Sequence, residues 1–224
     1  MKKLLLIPLM LLTVLSVEAC GGSHNKPYAP EQPGTSEQPG GDDNDEPDTP
    51  IPGSKGRYLV LYSSRTSNTE RVAKRIQTAL NCDILEVEPQ TPYDNDYNSM
   101  LKRAQEELAA IRQGNYPAIK TSAENFNDYD IVFIGYPIWY SSIATPMQTF
   151  LHEHASELAG KRIALFATSG SSGISTSVNE VRNLCPNATV INQTLLLTSS
   201  DLSQTDNRIA EWFNRIGVKQ EDRE

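Results

Sequence analysis

At 224 residues the chain is long enough for one large domain or two small ones, and it carries a formal net charge of −8 at pH 7. That balance argues against a nucleic-acid partner, for which a basic stripe would be expected. Only three cysteines occur, Cys20, Cys82 and Cys185.

Lys2 and Lys3 precede an almost unbroken apolar run from Leu4 to Val17, followed by Ala19 and Cys20. This is the layout of a secretory signal over residues 1–19, which takes no part in the fold. The run is shorter than the ~20 residues a membrane span needs. Val17 to Cys20 resembles the lipobox of bacterial lipoproteins, in which the cysteine becomes the lipidated first residue of the mature chain; Glu18 stands where that motif usually has a small residue. The expected localisation is therefore the cell envelope, with the exported protein held to the membrane through a lipid on Cys20 alone. An ordinary cleaved signal peptide is the alternative.

From Gly21 to Lys55 there is no hydrophobic periodicity, and 7 of the 14 prolines fall here with 6 glycines and 7 acidic residues against 2 lysines. Residues 20–55 thus read as an anchor and a disordered tether. At ~3.1 Å per residue the tether could reach roughly 110 Å. The folded domain is expected over residues 56–224.

Tyr58 to Tyr62 is a short apolar run of the kind a fully buried strand shows, and Val72, Ala73, Ile76, Ala79 and Leu80 recur at helical spacing. Between them lie Ser63, Ser64, Arg65, Thr66, Ser67, Asn68 and Thr69, with no apolar residue among them. The first N–H groups of a helix lack internal partners and its dipole end is positive, so this junction is expected to hold a phosphate. The plainer reading is a capped helix start with Asn68 as N-cap.

Asp83 to Val87 predicts a second strand, at an edge, and Asn98 to Gln113 an exposed helix stopped by Gly114. Tyr93 to Tyr97 reads as loop. Asp130 to Gly135 carries the most apolar run of the mature chain and predicts a central strand. Tyr136 to Ser142 then reads as a loop, with a helix from about Thr145 and Pro146 in its first turn. Arg162 to Ala167 predicts a fourth strand and Thr168 to Gly173 a third polar loop. Ile174 to Cys185 reads as helix, Val190 to Leu197 as a fifth strand, and Gln204 to Ile216 as an amphipathic closing helix. Five alternations of strand and helix call for a parallel sheet covered on both faces.

With strand order 2-1-3-4-5, order reverses between strands one and three, and ligands bind beyond the C-terminal strand ends at that point. The loops after strands one, three and four would line one rim, and these are the three polar loops. The spaced glycines and lysine of a P-loop and the GxGxxG of a dinucleotide fold are absent from the first loop. It also has no cysteine to serve as a phosphatase nucleophile, so a phosphate here is held and not transferred. Trp139 and Tyr140 in the second loop suit a flat aromatic ligand. Small residues in the third allow backbone to approach a ring edge. A phosphate at one end and a planar ring at the other describe flavin mononucleotide.

The chain resembles the flavodoxin family. Ser64-Arg65-Thr66-Ser67-Asn68-Thr69 matches the family's phosphate loop, T-x-T-G-N-T, and Gly135 to Tyr140 and Thr168 to Gly173 look like the second and third loops of a flavodoxin-like branch. The resemblance implies a flavodoxin-like three-layer α/β sandwich and noncovalent FMN. Residues Ser64 to Thr69 would hold the phosphate, and Pro137, Ile138, Trp139 and Tyr140 with Ser169, Gly170 and Ser171 would frame the isoalloxazine. Ser67 replaces the family's glycine, at a position where a positive φ would strain any side chain.

Cys82 and Cys185 belong before strands at opposite edges of such a sheet, which predicts no disulfide between them. His152 and His154, two apart on a helix, point to different sides, which argues against a metal site. No catalytic acid, base or nucleophile is identifiable. The expected function is an FMN protein of the cell envelope that moves electrons, either a carrier or a reductase of the NAD(P)H:quinone type. Its partner would be a redox protein or a small acceptor such as a quinone. The alternative is a flavodoxin-like head without flavin, acting as an envelope interaction module.

Overall fold

Val60 and Leu61 are neighbours on one strand, face opposite sides of the sheet, and are both fully buried. Apolar runs of this kind need cover on both faces, and the computed structural model, which describes residues 57–219, supplies it. The expected signal segment, the expected lipidation site Cys20 and the expected tether lie outside the described residues.

The first half of the described chain runs β1 (Tyr58–Tyr62), α1 (Asn68–Leu80), β2 (Asp83–Glu86), α2 (Tyr97–Ile111) and β3 (Ile131–Trp139). The second runs β4 (Ser142–Ile143), α3 (Thr145–Glu153), β5 (Arg162–Ser169), α4 (Ser175–Leu184), β6 (Thr189–Val190), β7 (Leu195–Thr198) and α5 (Thr205–Ile216). The main sheet is parallel in the order β2-β1-β3-β5-β6, with β7 also on β5. With β6 and β7 taken as one interrupted strand, this is the expected 2-1-3-4-5 order. Helices α1 and α5 cover one face, where Val72, Ile76, Trp212 and Phe213 pack on Val60, Phe133 and Phe166. Helices α3 and α4 cover the other, where Met147, Phe150, Val178 and Val181 pack on Leu61, Ile134 and Leu165. Helix α2 buries Met100, Ala104 and Leu108, one every fourth residue, and packs against α3.

The structure corrects two elements. The expected loop Tyr136–Ser142 is mostly strand: β3 continues to Trp139 and turns into β4 as an antiparallel hairpin. The β1 ladder ends with Tyr62 opposite Gly135, so beyond that point one side of β3 is open, and a proline is tolerated on such an edge. The carbonyl of Pro137 faces that side and accepts the Ala144 N–H at 3.2 Å. Tyr140 and Ser141 make the turn with φ of 52° and 65°, the two left-handed residues a type I′ hairpin needs.

The fifth strand, in turn, is broken. Two residues separate Ile163 from Phe166 on β5, whereas four separate Val190 from Leu195 opposite them. The two extra residues form a bulge. It is held by the Trp212 indole N–H, which donates to the Gln193 carbonyl at 2.7 Å, and by Arg182, which donates to Asn192 Oδ1 at 3.1 Å.

Cys82 precedes β2 and Cys185 follows α4 on the way to β6, so the sheet holds them toward opposite edges, each as a free thiol. Burial pushes the Cys185 thiol up to about 11 and the Cys82 thiol to about 12, which keeps both protonated and unreactive at neutral pH.

Candidate functional site

The chain leaves β1 at Ser63, whose N–H donates to the Gly135 carbonyl at 3.0 Å, and enters α1 through Ser67. Ser67 is the N-cap, with φ 57° and ψ 10° in the left-handed region, and no side chain caps the helix. The expected Asn68 cap is thus absent: Asn68 is the first helical residue, and its amide donates to Thr66 Oγ1 at 3.4 Å. Because Ser67 turns the chain sharply while its carbonyl accepts the Arg71 N–H at 3.1 Å, the first-turn N–H groups of α1 are left without a side-chain cap at the rim. An anion is the natural partner of such groups.

Thr69 Oγ1 lies 2.8 Å from Thr168 Oγ1, joining the start of α1 to the end of β5. The third loop folds on itself, with the Ser172 N–H donating to Ser169 Oγ at 2.7 Å. Gly170 has open space where a Cβ would stand, so its backbone is accessible.

A cleft of about 500 Å³ opens between these loops and the β3–β4 hairpin. Of the residues singled out in the sequence, Ser64, Arg65, Thr66, Asn68, Thr69, Pro137, Ile138, Trp139, Tyr140, Ser169, Gly170 and Ser171 all line it. Ser67 does not; it turns the loop into α1. Arg65 lines the cleft but spends its guanidinium elsewhere: Nη2 donates to the carbonyls of Asp94 at 2.9 Å and Asn95 at 2.8 Å. It pins the segment before α2 to the first loop.

The cleft is further lined by Tyr97, Met100 and Leu101 from α2 and by Leu197, Thr198 and Leu202 around the end of β7. Sequence reasoning stopped at three loops. The same rule that chose them, C-terminal strand ends at one rim, also selects Thr198, which ends the fifth strand.

Behind the cleft stands a polar network. Tyr93 packs edge-on against Trp139, with ring centroids 5.0 Å apart. The Tyr93 hydroxyl bonds Glu107 Oε2 at 2.5 Å and Thr145 Oγ1 at 2.7 Å, and Arg103 Nε donates to Glu107 Oε1 at 2.7 Å. Arg103 also lies over the Tyr93 ring, 4.0 Å from its centroid. Burial, with the Glu107 carboxylate adding to it, pushes the Tyr93 phenol far up, so it stays a hydroxyl. Tyr93 therefore supports Trp139 from behind, and Tyr97, largely exposed, is the tyrosine that borders the cleft.

Among the described residues no group of three His, Cys, Asp or Glu converges as metal ligands would. His152 stacks on Tyr116, with centroids 3.9 Å apart, and His154 packs on Phe150 and pairs with Glu157.

An open, doubly wound sheet with its cleft beside the β1/β3 reversal, a hydroxyl-lined helix start and an aromatic hairpin on that cleft, is an α/β sandwich of the flavodoxin-like class. The chain belongs to the flavodoxin family: the family model described as Flavodoxin matches residues 57–216.

Solved structures agree. A putative flavoprotein from Bacteroides eggerthii is 33% identical with a TM-score of 0.62, covering 73% of this chain and 99% of that one. A putative flavoprotein from Bacteroides uniformis is 28% identical, TM-score 0.58, covering 69% and 98%. A flavoprotein from Lactobacillus acidophilus, solved in complex with FMN, is 25% identical, TM-score 0.54, covering 66% and 97%. None of the curated proteins matches the chain.

Proposed function

We propose that the protein binds FMN noncovalently in this cleft and moves electrons as an exported protein of the cell envelope, anchored through Cys20. The observation that carries the reading is the convergence of the first and third polar loops and the aromatic hairpin on one cleft whose helix start has no side-chain cap. The residues present fit the cofactor. Ser64, Thr66, Asn68 and the first N–H groups of α1 would hold the phosphate, and Trp139, Tyr140 and the third loop would take the ring. At about 500 Å³ the cleft falls within the roughly 300–1,000 Å³ of ordinary ligand pockets. Bound FMN supplies the redox chemistry, and the protein supplies binding, orientation and electrostatics.

Ser67 holds the loop in its anion-binding shape, Thr69 and Thr168 fix the distance between loops, and the Tyr93–Glu107–Arg103 network sets the Trp139 wall. The described residues that line the cleft include no His, Cys, Asp, Glu or Lys, and the acceptor in this reading, for a carrier or a reductase, is a redox protein or a quinone. The test is a titration of the purified mature protein with FMN. Quenched flavin fluorescence and a perturbed absorbance spectrum are expected; their absence would leave the flavin-free interaction module as the reading. Reduction of bound flavin by NAD(P)H alone separates a reductase from a carrier.

A further inference from the structure

A second recess, of about 270 Å³, shares Ser64, Arg65, Thr66, Pro137 and Trp139 with the flavin-type cleft. Its lining combines the C–H surfaces of Pro89, Pro92 and Pro146 and the Tyr93 and Trp139 rings with the polar side chains of Ser63, Ser64, Thr66 and Asn95. The volume is just under the roughly 300–1,000 Å³ of pockets that take drug-sized ligands, so a single substituted ring fills it.

Ser63 belongs to this recess and not to the main cleft. Successive side chains of a strand alternate in direction, which puts Ser63 on the face of Leu59 and Leu61, the face where Val87 and α3 pack. Ser63 is 4% exposed, and its Oγ is buried without any hydrogen-bond partner. Buried hydroxyls are nearly always paired. Rotation about χ1 offers this one three staggered directions, so a ligand in the recess can supply the missing acceptor.

Charge narrows the ligand. Glu86 and Glu88 line the recess and oppose an anion. The Arg65 guanidinium at its edge opposes a cation, while donating to the Asp94 and Asn95 carbonyls.

We propose that this recess is a binding site for a neutral single-ring aromatic or quinonoid molecule whose carbonyl or nitro oxygen accepts from the Ser63 hydroxyl. The site adjoins the main cleft through Ser64, Arg65, Thr66, Pro137 and Trp139, while Ser63, Pro89, Pro92, Tyr93 and Pro146 belong to it alone.

The probe is 4-nitrobenzyl alcohol, titrated calorimetrically into the full chain with and without saturating FMN, with benzamidine as its cationic counterpart. One saturable site for the neutral probe is expected, undisturbed by FMN. Ser63→Ala should weaken it about three- to tenfold, the worth of one hydrogen bond. Because the hydroxyl has no partner in the protein, the same variant should unfold at the wild-type midpoint or above, and should titrate with FMN as wild type does. Displacement of the probe by FMN, unchanged affinity in Ser63→Ala, or tighter binding of benzamidine would each overturn the proposal. If FMN fails to bind while the probe behaves as stated, the flavin reading falls and this site stands.

Discussion

The hydroxyl of Thr69 in the first turn of α1 lies 2.8 Å from the hydroxyl of Thr168 near the end of β5. Both side chains are buried, and the pair is the direct link between the first and third loops of the cleft. Either oxygen can donate, and whichever does, the other has its partner. Thr69→Val removes one member and leaves Thr168 Oγ1 buried and unsatisfied. The expected cost is about 1–3 kcal/mol in urea unfolding. Changing both residues to valine should restore most of it, since an apolar pair leaves nothing unpaired. A double variant as unstable as the sum of the two singles would show that the hydroxyls are not coupled.

Ser67 is the point at which sequence and backbone disagree locally. Its φ of 57° costs a residue with a Cβ about 1–2 kcal/mol, against the roughly 0.5–1 kcal/mol of extra chain entropy that glycine gives up on folding. Ser67→Gly should therefore raise the unfolding free energy by up to about 1 kcal/mol. It should also tighten FMN binding, because the loop no longer stores that strain. Urea melts of the protein alone and a flavin fluorescence titration check the two effects separately; unchanged values in both would mean that the serine sits there without strain.

Gly135 pairs with the last residue of β1 on one side and with Phe166 on the other. A Cβ built on it falls 2.1 Å from the Phe166 ring, which is itself packed in the core with Trp212. Gly135→Ala must push that ring aside within the core. A loss of about 1–3 kcal/mol is expected from overpacking, read as a lowered urea midpoint. Pairing it with Phe166→Leu should recover part of the loss, because the shorter side chain vacates the contact.

Most of the sheet was legible because its strands are buried on both faces and so read as continuous apolar runs, as at Ile131–Ile134 and Ile163–Phe166. The helices were legible from the spacing of Val72, Ile76, Trp212 and Phe213. The β3–β4 hairpin was not, since Tyr140-Ser141 lacks the Asn-Gly chemistry that announces a type I′ turn and Pro137 reads as a strand breaker unless the end of β1 is known. The bulge before β7 was hidden for a similar reason: it depends on the Trp212 N–H reaching Gln193 from a helix nineteen positions away. The first and third loops of the cleft were legible from composition and topology together, but the second task of Arg65, holding Asp94 and Asn95, is a tertiary contact with no local signal.

Glu86 gives the fold a pH dependence of predictable sign. Burial raises its carboxyl pKa; the hydrogen bond donated by the Tyr62 hydroxyl at 3.2 Å pulls the other way, and Glu70 and Glu88 add to the rise. Between the unfolded value, about 4.3 for a glutamate, and the higher folded value, the native state keeps a proton that the unfolded chain has released. Stability therefore falls as pH rises through that window and levels off above the folded value. The carboxyl is partly exposed, so solvent damps the amplitude. Glu86→Gln keeps an oxygen for the Tyr62 hydroxyl and removes the titration. Urea unfolding of both proteins from about pH 4 to 7 should show the stability of wild type declining relative to the variant as pH increases. Parallel curves would mean that Glu86 titrates alike in the folded and unfolded chains, and a decline confined to the variant would reverse the sign argued here.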